Sequence, residues 1–99
     1  MRHDFTSLLY STREGRLERL ATVQGELAGL YEEQAMLWSQ EKRAKIEGFL
    51  RSEESSVAGR EREADASALD ITATAFEVRG AIMALEAERD LIYKLLGDA

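Results

Sequence analysis

The chain has 99 residues with a net charge of −6, 32% charged and 7% aromatic residues, and neither proline nor cysteine. That length suits a single domain over 1–99. The lack of cysteine excludes disulfides and thiolate metal sites, and no apolar run reaches the roughly 18 residues a membrane-spanning helix needs.

At the N-terminus, Met1-Arg-His-Asp-Phe has neither the apolar core nor the small-residue cleavage site of a secretion signal, so a cytoplasmic protein is expected. Asp4 offers an early helix cap, and Ser11-Thr-Arg-Glu14 matches a capping box in which hydroxyl and carboxylate satisfy backbone N–H groups reciprocally. Helix one is therefore predicted over about 11–51. Leu17, Leu20, Val23, Leu27, Leu30, Tyr31, Leu37 and Trp38 fall on one drifting face. Gln34 interrupts that face and reads as a solvated edge position, with a register-fixing polar contact as the alternative. Ala21, Gly25 and Gly29, four apart, line up beside it. Each glycine costs a helix roughly 1 kcal/mol relative to alanine, so close approach of a second backbone is expected here to offset that cost.

Residues 39–67 are more polar, and a turn is predicted over about 52–55. Ser55 or Ser56 would cap helix two, predicted over about 56–96, and a turn at Gly59 is the competing choice. Within helix two, Ala68, Ile71, Ala75, Val78, Ile82, Leu85, Arg89, Ile92 and Leu96 follow alternating steps of three and four, the seam of a coiled coil or bundle. Arg89 reads as a snorkelling residue paired with Glu86 or with a carboxylate on another helix. A further row, Leu69, Phe76 and Met83, lies about 100° round the helix from the first, and Ala66, Ala73, Gly80 and Ala87 form a small-residue row.

Folding the chain back at the turn superimposes the apolar stretches of both arms, with Trp38 near Leu69. The fold class predicted is all-α: an antiparallel two-helix hairpin assembling into a homo-oligomeric helical bundle. One neighbouring helix covers only part of helix two's apolar circumference. A dimer forming a four-helix bundle is the simplest oligomer, with Leu27, Leu30, Ile71, Phe76, Val78, Ile82, Leu85 and Ile92 as its expected interface.

Chemistry is sparse. His3 is the only histidine, the Glu-x-x-His pattern of di-iron bundles is absent, and there is no glycine-rich phosphate loop. No enzymatic activity, metal or cofactor is expected. Lys42, Arg43, Lys45, Phe49, Leu50 and Arg51 gather near the turn as a candidate partner-binding tip. Contact of this tip with nucleic-acid phosphates is an alternative, although the net charge argues against broad nucleic-acid binding. An acidic DNA-mimicking inhibitor is another, since Asp65, Asp70, Glu77, Glu86, Glu88, Asp90 and Asp98 outnumber Arg79, Arg89 and Lys94.

The second half of the chain, from Ser55-Ser-Val-Ala-Gly-Arg-Glu-Arg-Glu-Ala-Asp to Leu85-Glu-Ala-Glu-Arg-Asp-Leu, resembles small coiled-coil proteins encoded by actinobacterial phages. The resemblance implies a phage accessory or structural role inside an infected bacterium and a host or phage protein as partner. Length and hairpin form are also similar to the ESAT-like substrates of type VII secretion. However, Trp38-Ser-Gln40 lacks their Trp-x-Gly glycine, and Tyr93-Lys-Leu-Leu-Gly-Asp98 is one residue too long for their C-terminal motif.

Overall fold

The computed structural model describes residues 11–97, and the regular structure among them is entirely α-helical. Helix α1 spans Arg13–Arg51, α2 spans Val57–Ser67 and α3 spans Leu69–Gly97. The expectations attached to His3, Asp4 and Asp98 lie outside the described residues.

Helix α1 begins one residue later than the Ser11–Glu14 box implies. Its cap is Thr12, whose Oγ1 accepts from the Gly15 N–H at 2.9 Å, while the Arg16 N–H closes on the Thr12 carbonyl at 3.0 Å. The third helical position is then Gly15, which has no side chain to reach back, so the reciprocal half of the box is missing. Glu14 stays in the first turn, where its charge complements the helix dipole.

The second predicted helix is two helices, broken at Ala68. The Ser67 hydroxyl donates to the Glu63 carbonyl one turn back at 2.8 Å, a bond that competes with the backbone ladder. The Ala68 N–H turns to the Asp65 carbonyl, three residues back, at 3.2 Å, which tightens the last turn. Ala68 itself sits at φ −102 and ψ 3. Its carbonyl accepts the Thr72 N–H at 2.8 Å, so α3 starts one residue later.

The helices form two compact units. In the first, residues 11–30 of α1 lie with residues 81–97 of α3. Val23, Leu27, Ile82 and Ile92 are buried there. Arg19 forks onto Glu88, with Nε donating to Oε2 and Nη2 to Oε1, both at 2.8 Å. A two-point bond between planar groups fixes their orientation as well as their distance, so it helps set how the two segments meet. Gln24 Nε2 adds a bond to the Tyr93 hydroxyl at 2.9 Å.

The second unit is residues 31–80: the end of α1, the loop 52–56, α2 and the start of α3. Its buried apolar side chains are Ala64, Ala68, Ala75 and Val78, mostly methyl groups, so the helix axes must come close for any contact. The helices come close at Gly48. A Cβ there would lie 2.5 Å from Ser67 Oγ, 2.8 Å from Ser67 Cβ and 3.0 Å from the Ala64 Cα, so only a hydrogen fits. Gly25 and Gly29, where close approach is expected from the sequence, face open space with no atom within 4 Å of an added Cβ. That expectation is therefore corrected: the tight contact sits on a single glycine near the turn, and the Ala21–Gly25–Gly29 row is exposed.

All nine predicted seam residues on the returning arm are covered: Ala68, Ala75, Val78, Ile82 and Ile92 are buried, and Ile71, Leu85, Arg89 and Leu96 are half-buried. Arg89 Nε bonds Asp90 Oδ1 at 3.1 Å. On α1 the covered row is Leu20, Val23, Leu27, Leu30, Gln34, Leu37, Glu41, Ala44 and Gly48. Gln34 is half-buried on this row. Leu17, Tyr31 and Trp38, grouped with the buried face on sequence, are exposed instead. Tyr31 and Trp38 each follow a seam residue by one position, and that step of about 100° turns them out of the contact.

Candidate interaction site

The tip is ordered by its own side chains. Ser56 caps α2, its Oγ accepting the Gly59 N–H at 3.0 Å. Arg60 Nε donates to the Glu54 carbonyl at 2.9 Å, and its guanidinium lies 5.9 Å from the centre of the Phe49 ring, a cation–π contact. Lys45 Nζ reaches Glu41 Oε1 at 3.1 Å and Asp65 Oδ1 at 3.8 Å. Two of the six candidate tip residues, Lys45 and Phe49, are therefore engaged within the chain. The other four, Lys42, Arg43, Leu50 and Arg51, are exposed. Lys42, Arg43, Ile46, Ser39 and Glu47 line a shallow depression of about 370 Å³ on the outer surface of α1, and Leu50 beside it is 76% exposed.

The eight residues expected at an oligomer interface separate in the same way. Leu27, Val78, Ile82 and Ile92 are buried and Leu30, Ile71 and Leu85 half-buried within the chain. Phe76 alone among them is exposed, at 74%.

Phe76 belongs to a second surface of the 31–80 unit. It lines, with Gln34, Trp38, Glu41, Thr72, Ala75 and Arg79, a concavity of about 490 Å³. The hollow has a local cause. At Gln34 and Glu41 the α1 seam is polar, and the facing seam residue Ala75 is small, so the groove between the helices is not filled. Trp38 lines this hollow together with Thr72, Ala75, Phe76 and Arg79 of the returning arm. Trp38 is 60% exposed and Leu69, one row-step from Phe76 on the same helix face, is 65% exposed. Sequence reasoning assigned no site role to Trp38 or Leu69. The signal was available in the seven-residue spacings Tyr31–Trp38 and Leu69–Phe76, which mark rows beside a seam and not within it.

Among the described residues no three His, Cys, Asp or Glu side chains cluster as metal ligands, and no helix is long and apolar enough to cross a membrane. Compared with protein-family models, with curated proteins and with solved structures, the chain gives no significant match.

Proposed function

We propose that the chain is a non-catalytic protein-interaction module of a bacterial cell, working as a homo-oligomer, most simply a dimer forming a four-helix bundle, and presenting its tip to a host or phage protein. The observation that carries this reading is the set of large apolar side chains left in water once the seam is covered, above all Trp38, Leu69, Phe76 and Leu50. Contiguous exposed apolar surface on a small soluble protein marks a site of association, and a helix apolar beyond one stripe calls for more than one neighbour. The exposed Lys42, Arg43 and Arg51 around Leu50 support the tip as the place for a second protein, since charge at the rim steers encounter and apolar surface holds the contact. Size-exclusion chromatography with light scattering at tens of micromolar is expected to give about twice the 11.1 kDa chain mass. A mass of one chain at that concentration contradicts the homo-oligomer.

A further inference from the structure

We infer that the Trp38–Phe76 concavity of the 31–80 unit is the contact through which a second copy of this chain binds; the inference rests on the self-association proposed above and assigns it to one face. Three observations converge on a second copy as the occupant.

The first is the distribution of charge. The rows of α1 around the concavity are Tyr31, Trp38 and Lys45, and Ala35 and Lys42; those of the returning arm are Thr72 and Arg79, and Leu69 and Phe76. The concavity itself carries one carboxylate, Glu41, which Lys45 pairs at 3.1 Å, and one cation, Arg79, so its lining has no net charge in a chain with 19 acidic residues. Glu32, Glu33, Glu47, Asp70 and Glu77 of the same unit all lie on other rows. A chain with net charge −6 repels its own copies least where its surface carries no net negative charge.

The second observation is area. An aromatic side chain carries about 150–250 Å², so Trp38 and Phe76, at 60% and 74% exposure, with Leu69 and Tyr31 beside them, offer apolar surface on the order of 500 Å². A standard interface takes about 800 Å² from each partner, of which about 56–65% is apolar. The face supplies the apolar part of such an interface.

The third is self-complementarity. A two-fold contact places the same surface on both sides, so it must carry what it needs to meet. The concavity holds a carboxylate, Glu41, and a cation, Arg79, which has no ion pair among the described residues. It also holds a protruding indole next to an unfilled hollow. Ala35, between Tyr31 and Trp38 on the helix surface, leaves room for a second helix to lie close.

Trp38 is the only tryptophan in the chain, so its fluorescence reports this face alone. The test is a dilution series of the full chain from about 100 to about 0.1 µM, following emission maximum and mass together, since a dimer dissociates by mass action. The expected result is a blue-shifted emission at high concentration that moves to the red as the mass falls to that of one chain. Phe76→Lys, at an exposed position that leaves helicity by circular dichroism unchanged, is expected to weaken association about tenfold or more. Leu50→Lys, on the other surface, is expected to leave it unchanged. A doubled mass with an emission maximum that ignores concentration overturns this assignment while self-association stands. A single-chain mass with red emission at every concentration overturns both.

Discussion

Replacing Leu27 with alanine is expected to lower stability by about 2–5 kcal/mol. Leu27 is one of the three largest fully enclosed side chains among the described residues, with Val23 and Ile92, and in a two-helix layer few neighbours can shift to close the cavity. Domains of this size are stable by only about 5–15 kcal/mol, so the loss is a large fraction of the whole. At about 4–8 °C per kcal/mol for a chain of this length, the midpoint should fall by about 8 °C or more. Thermal unfolding followed by circular dichroism, at one fixed concentration because association adds to apparent stability, measures it. Met36→Ala on the same helix, exposed and off the seam, is the comparison and is expected to change stability by less than about 0.5 kcal/mol. Equal effects at the two positions would contradict the placement of the core.

The glycines give the second large effect, and its sign differs along α1. At Gly48 an added methyl meets the Ser67 side chain and the Ala64 backbone, and only the first can rotate away. Overpacking of this kind costs about 1–3 kcal/mol, which outweighs the gain of roughly 1 kcal/mol in helix propensity for alanine over glycine. Gly48→Ala is therefore expected to destabilise, and Gly48→Val more so because its branched side chain cannot turn from the neighbouring helix. At Gly25 and Gly29 nothing lies within reach of the methyl, so only the propensity gain remains. Each substitution there is expected to stabilise by about 0.5–1 kcal/mol. Denaturant unfolding of the three single variants reads all of this, and a stabilising Gly48→Ala would show that α1 and α2 are not in close contact.

The contrast between these glycines also shows what the sequence carries and what it does not. The seam from Ala68 to Leu96 was legible because its alternating three- and four-residue steps can serve only one helix face, and each of its nine residues is covered. Proline-free composition made the all-α architecture legible in the same way. The break at Ala68 was not legible, because no glycine or proline marks it: a serine hydroxyl bonding back one turn and a tightened last turn make it. The Gly25–Gly29 spacing looked like a contact motif, but spacing alone cannot say whether a neighbour exists on that side. Gln34 is visible in the sequence as a polar interruption of the pattern, and the fold adds that it is half-buried there. Of the candidate tip, residue type identified the charges, while the ties of Lys45 to Glu41 and of Phe49 to Arg60 required the fold. The Trp38–Phe76 face comes from two arms far apart in sequence: row spacing marks each half, and only the fold brings the halves to one concavity.

Site-directed cross-linking tests most directly whether this aromatic face meets a second copy. The chain has no native cysteine, so one introduced thiol is unambiguous. Ala35→Cys places it between Tyr31 and Trp38, and Glu33→Cys, two residues earlier, places it about 200° round the same helix. With a short flexible bismaleimide, Ala35→Cys is predicted to give covalent dimers and Glu33→Cys to stay a single chain. Dimers from Glu33→Cys with none from Ala35→Cys would contradict the account.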